Sequence, residues 1–124
     1  EEFLMEITLY NQKGEPQSYI ADDKESSIYL WDGNAVAYIK NEIIHGWNGK
    51  HLGWFVDGVI YDIKGLKIGS IGGKCPSVPN VQPVKYVKFV KNVKCVPNVP
   101  FVRSVLSIGY SNQDLLSFLE DGKI

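Results

Sequence analysis

Two rhythms divide the chain. Up to about residue 72, apolar and small residues keep fixed distances from Gly14, Gly33, Gly49 and Gly65, which follow Lys13, Asp32, Asn48 and Lys64. Four residues before these glycines stand Tyr10, Tyr29, His45 and Tyr61; five before stand Leu9, Ile28, Ile44 and Ile60. Four after come the small residues Ser18, Ala37, Gly53 and Gly69, and six after come Ile20, Ile39, Phe55 and Ile71. Agreement at four columns in four units marks an internal repeat. Asp-Gly and Asn-Gly accept positive φ at both central turn positions, so each glycine predicts the bend of a hairpin with a two-residue turn.

The pleat then sorts the columns onto faces. One face collects Leu9, Ile28, Ile44 and Ile60 with the small column and the Ile20, Ile39, Phe55 and Ile71 column. The other is expected to collect the Tyr10, Tyr29, His45 and Tyr61 column, then Gln17, Val36, Leu52 and Ile68, then Tyr19, Tyr38, Trp54 and Ser70. A hairpin apolar on both faces is not stable alone. Four of them clustered base to base would share an aliphatic hub, with small residues permitting close approach and the tips pointing outward. Lys40-Asn41 and Asp57-Gly58 read as short connectors, and residues 21–27 as a polar loop.

Beyond the repeat, valine recurs every third residue from Val78 to Val102. A period of three fits neither a pleated strand nor an α-helix. Pro76, Pro79, Pro83, Pro97 and Pro100 favour polyproline II over a 3₁₀-helix, which rarely runs long. One edge of that helix is valine, and a second holds Lys85, Lys88, Lys91, Lys94 and Arg103. The third is mixed and includes Tyr86, Phe89, Asn92 and Phe101. At ~3.1 Å per residue such a tail outreaches a domain of about 14 Å radius of gyration, so it has to bend around the body, double back or reach another chain. The valine edge is expected to lie against the apolar face of the hairpins or a second subunit, with the lysines in water. After it, Ser111 to Asp114 resembles a capping box, and Leu115, Leu116, Phe118 and Leu119 form an apolar stripe. Together they predict a short helix over about 112–120.

Charge sharpens this picture. Residues 1–70 stand at −5, residues 71–104 at +6 without a single acid, and residues 105–124 at −2, inside a net charge of −1. The basic block is expected to dock on the acidic block of its own chain, the alternative being an anionic partner. The chain's 124 residues suit one small domain. No run approaches ~18 apolar residues, so no membrane helix is expected. Cys75 and Cys95 lack any zinc spacing and read as solitary thiols of a cytoplasmic protein, with a disulfide as the alternative. Met5 reads as the natural start, with Glu1 to Leu4 an addition.

Candidate chemistry is sparse. His45 and His51 are expected on opposite faces of one hairpin, which argues against a shared metal, and no cofactor is expected. Asp32, Asn48 and Asp62 read as turn residues. No nucleophile, phosphate-loop or acid-pair motif occurs, so an enzyme is not expected. Trp31, Trp47, Trp54, Tyr29 and Tyr61 are the candidates for stacking on a carbohydrate or a choline-like cation. Lys85, Lys88, Lys91 and Lys94 with Tyr86 and Phe89 are the candidates for contact with a partner. Nucleic acid is not the expected one, since the tail holds little arginine and no recognition motif.

The run from Ile28 to Gly65, with its Trp-Asp-Gly and Gly-Trp-Asn-Gly-Lys-His-Leu-Gly-Trp-Phe segments and the valine–proline–lysine tail behind it, resembles the four-fold β-flower proteins. These are small bacterial domains of uncharacterised activity. The resemblance covers residues 5 to about 118 and implies the hairpin arrangement, with no substrate, cofactor or catalytic residue. The first unit departs most, with Gln12 where Trp31 and Trp47 stand. The expectation is therefore an all-β chain: four β-hairpins in pseudo-fourfold arrangement (5–72), an extended polyproline-II-like Val-x-x tail (73–104) and a C-terminal segment with a short α-helix (105–124). It is expected to be a non-catalytic binding or assembly module. Contact would run through the tail or the aromatic face, with a second copy through the valine-rich tail or with another protein.

Overall fold

The computed structural model describes residues 5–90 and 92–124. Glu1 to Leu4, with the expectation attached to them, and Lys91 lie outside the described residues. Eight antiparallel strands follow one another around a closed barrel: β1 (Ile7–Tyr10), β2 (Pro16–Ile20), β3 (Ser27–Leu30), β4 (Ala35–Lys40), β5 (Ile43–Gly46), β6 (His51–Val56), β7 (Val59–Asp62) and β8 (Lys67–Ile71). A 3₁₀ turn, Gly72–Lys74, leaves the barrel, and one short helix, α1 (Leu115–Glu120), follows much later. Closure is thinnest between β1 and β8, where only Leu9↔Ile71 and Tyr10↔Ser70 are paired.

The four repeat glycines sit at the bends joining β1–β2, β3–β4, β5–β6 and β7–β8, with φ between 81° and 92°. The two-residue turn expected from the sequence is corrected. In each tip the glycine N–H donates to the carbonyl three residues back, and that residue's own N–H donates to the carbonyl four residues on, as in Gly33→Leu30 and Leu30→Asn34. This is a three-residue loop with glycine in the left-handed position. Turns with two central residues of positive φ occur instead at the opposite end, at Asn41-Glu42 and Asp57-Gly58.

A bulge follows every tip. Tyr29 pairs with Ala35 and Ile28 with Ala37, so Val36 is the extra residue; Gln17, Leu52 and Ile68 hold the same place in the other hairpins. The longer turn and the bulge each shift register by one and cancel, which is why Ile28 faces Ala37 as the columns require. Between them the faces change. Val36, Leu52 and Ile68 turn into the barrel beside Leu9, Ile28, Ile44 and Ile60, correcting their expected placement on the aromatic face.

The hub is filled from one mouth by α1, whose Leu115, Phe118 and Leu119 join the barrel core. The small column makes room for it: a Cβ on Gly53 would stand 3.0 Å from the Phe118 ring, and one on Gly69 would stand 3.0 Å from Leu115. The helix is shorter than expected and has no capping box. Its N-cap, Asp114, makes no capping bond. That carboxylate instead accepts from Asn11 and Gln17, while Gln17 Oε1 accepts the Leu116 N–H. Gln17, the polar exception in an aliphatic column, caps a helix almost a hundred residues away.

Candidate functional site

Between the 3₁₀ turn and α1 the chain runs as an extended strap that meets the four hairpin tips in order. The N–H groups of Asn80, Phe89, Asn98 and Ser107 donate to the carbonyls of Gly14, Gly33, Gly49 and Gly65. Three residues earlier, the Tyr86 and Cys95 N–H groups donate to Trp31 and Trp47 carbonyls, while Ser77 and Ser104 use hydroxyls on Gln12 and Ile63. Each station lies nine residues from the next. The valine rhythm of three conceals this period; Val-Pro-Asn-Val, written at 78–81 and 96–99, marks stations one and three, eighteen residues apart.

The fit at each station requires glycine. A Cβ on Gly14, Gly33, Gly49 or Gly65 would come within 2.0–2.5 Å of the carbonyl oxygen of Val78, Val87, Val96 or Val105. The tip glycines therefore serve two ends, the left-handed bend and the close passage of the strap.

The expected orientation of the strap is reversed. Val78, Val81, Val84, Val87, Val90, Val93, Val96, Val99, Val102 and Val105 face solvent, as does Ile108, with exposures from 51% to 94%. Lys85, Lys88 and Lys94 turn inward over the outer face of the barrel. Lys85 and Lys88 both pair with Glu6 and lie over Tyr19, and Lys88 also lies over Tyr29. Lys94 pairs with Glu25 and sits 4.1 Å from the centre of the Tyr38 ring and 5.3 Å from that of Trp47. Arg103 pairs with Glu42, and Lys74 with Asp57. These five residues of the basic block thus dock on acids of their own chain. Each of the five reaches the strand-connecting end of the hairpin before the one whose tip its neighbours clasp.

Electrostatics follow from this docking. Burial alone would raise the Glu6 carboxyl, but Lys85 and Lys88 outweigh it and hold Glu6 below the usual carboxylate range. Lys88 is raised in turn by its hydrogen bond to Glu6. Burial pushes the phenols of Tyr19, Tyr29 and Tyr38 up.

The aromatic candidates do not form an open platform. Tyr29, Trp47 and Trp54 are buried, and Trp31 and Tyr61 are partly so. Trp31 and Trp47 spend their indole N–H groups on the carbonyls of Pro16 and Asn92. Of the partner candidates, Tyr86 and Phe89 are exposed beside the valines, and Lys85, Lys88 and Lys94 are engaged inward.

The histidine expectation is also corrected. Because Leu52 is the bulged residue, His45 and His51 pair directly and share the outer face, with ring centres 6.3 Å apart. His51 has both nitrogens occupied: Nε2 donates to the Gly53 carbonyl and Nδ1 accepts the Phe101 N–H, each at 3.0 Å. Neither nitrogen is free for a metal, and among the described residues no group of three or more His, Cys, Asp or Glu could hold one. Asn11, Asp32, Asn48 and Asp62 accept backbone N–H groups within their own turns. Cys75 and Cys95 are free thiols. A cleft of about 480 Å³ lies open between the third and fourth tips and is bordered by Lys50, Asp62, Lys64, Gln113 and Asp121. Among the described residues no helix is long and apolar enough to cross a membrane.

No curated protein and no solved structure matches the chain. A family described as 4-fold beta flower protein matches residues 7–119, nearly the whole chain. Four tip glycines, four strap stations and the three helix residues that plug the barrel (Leu115, Phe118 and Leu119) all fall within that match, and the chain belongs to the 4-fold beta flower protein family.

Proposed function

We propose that this chain is a non-catalytic assembly module: a pseudo-fourfold set of four hairpins, laced by a polyproline-II-like strap, that associates with a second copy of itself through the strap's valine edge. The observation that carries this reading is the enforced exposure of that edge. Ten valines and Ile108 point outward while strap amides and inward lysines fix the backbone beneath them. Mobility is therefore not the reason the valines are wet. At roughly 100 Å² each they present on the order of 1,000 Å² of apolar surface, beyond what monomers usually leave open. A stable contact takes about 800 Å² from each partner, within reach of part of this edge together with Tyr86, Phe89 and Phe101.

A second copy is the occupant that the charges favour. The valines and Ile108 carry no charge, and Lys74, Lys85, Lys88, Lys94 and Arg103 turn away from them to acids of the chain, which disfavours nucleic acid or an acidic protein as the occupant. An uncharged edge repeating one residue complements itself when two copies meet about a two-fold axis, valine between valine. The nine-residue spacing of the stations and their one-to-one match with the hairpins support the fourfold geometry.

The test is native mass by light scattering across a concentration series, for the wild type and for Val87→Ser/Val96→Ser/Val99→Ser. These side chains touch little within the chain, so folding should be retained. The wild type should exceed its 13.9 kDa monomer mass and the variant should return to it. A wild type that stays monomeric at millimolar concentration overturns the reading. Co-sedimentation with lipid vesicles, or retention on nucleic acid, lost in the same variant would reassign the edge.

A further inference from the structure

Between the third and fourth stations the strap is held by Arg103 on Glu42, by the Ser104 hydroxyl on Ile63 and, nearest the third station, by one histidine. The Phe101 N–H donates to His51 Nδ1 at 3.0 Å, and the Phe101 ring stacks on the imidazole with centres 5.6 Å apart and planes inclined by 25°. His51 is 4% exposed and braced on its other side by Trp54, edge-on at 4.8 Å, with Nε2 tied to Gly53 O. We propose that His51 is a proton-operated latch: neutral, it holds the strap at Phe101; protonated, it releases that segment while the barrel stays folded.

The chemistry is a matter of donors and acceptors. Neutral imidazole has one of each, and both are used here. Imidazolium is a donor at both nitrogens, so no rotation of the ring can again accept the Phe101 N–H. A buried N–H facing N–H is costly, and the strap is the partner able to leave, since Phe101 is 61% exposed and Gly53 belongs to β6.

The surroundings give the cation no refuge. From β5, His45 faces His51 with a buried Nδ1 that has no partner, and Lys40 of β4 adds positive charge to that pair. From the strap, Arg103 is engaged with Glu42. Lys50, Asp62, Lys64 and, from the end of α1, Asp121 border the cleft beside the ring, and Asp62 Oδ1 already accepts the N–H groups of Lys64 and Leu66. Burial lowers the pKa of both histidines, so release falls below the ordinary histidine range.

Amide exchange followed by NMR between pH 7.5 and 5 tests the latch, after correction for the intrinsic exchange rate. Phe101 should lose protection by up to about tenfold per pH unit over the interval between the ordinary and the lowered value, while Ile44 and Ile60 in the barrel keep theirs. His51→Gln, which keeps a side-chain acceptor but cannot titrate, should flatten the dependence; His45→Gln should not. Histidine nitrogen shifts read His51 directly in the wild type. They should show an Nε2–H tautomer at pH 7.5 that becomes imidazolium in step with the change at Phe101. If His51 titrates while Phe101 stays protected, or His51→Gln leaves the profile unchanged, the latch does not exist. Either result is independent of the protein's native mass.

Discussion

Gly33 shows how one residue can answer to two constraints. Its φ of 92° places any side chain in a left-handed conformation, and an added Cβ would lie 2.0 Å from the Val87 carbonyl oxygen. Backbone strain alone costs about 1 kcal/mol. Gly33→Ala should therefore lose more than that in a urea titration, with protection falling first at Tyr86 and Phe89. The histidines titrate in the same sense as Glu6, although burial and not an ion pair depresses them. Their folded values are depressed, so the unfolded chain binds more protons below the ordinary pKa of about 6.5. Stability should be fully present above that value and decline as pH falls through the folded values. Glu6 is likewise depressed, and its share should persist above the ordinary glutamate range and vanish as pH falls through its lowered value. A stability–pH curve of the wild type beside Glu6→Gln and His51→Gln separates the two windows.

At the scale of elements, α1 is the core's missing part rather than an appendage. Phe118→Ala should cost about 3–5 kcal/mol in chemical denaturation, as for any large buried aromatic. Gln17→Leu should cost about 1 kcal/mol by uncapping the helix while leaving the β1–β2 register unchanged. The hairpins were legible because glycine spacing survives any local detail. The turn length and the bulge were not, since their two shifts cancel at Ile28 and Ala37 and the hub columns read the same either way. His51 lies inside the affected interval, which is why the sequence set it on the face opposite His45. The stations were hidden for another reason. A valine at every third position satisfies a period of nine as well as three, and the repeated Val-Pro-Asn-Val, eighteen residues apart, fits both. Which edge faced inward depended on the acids and rings beneath it: an extended lysine can cover an aromatic face with its stem and reach a carboxylate with its head.

For the whole molecule, the docking of strap on barrel should weaken with salt, because its pairs are partly exposed. Protease nicking within residues 81–102 should accelerate between low and high ionic strength, whereas the hydrogen-bonded strands should resist. The strap also ties together staves that would otherwise meet at a thin joint. β1 and β8 share only two residue pairs, and as the strap departs it bonds to both sides of that joint, Lys74 to Asp57 and Ser77 to the carbonyl of Gln12. A cooper's hoop works in this way, and it is always fitted last. As the ribosome makes the chain from its N-terminus, all eight staves emerge before the hoop and the lid exist. The newborn barrel must stand unbound until residues 75–120 have followed it from the ribosome.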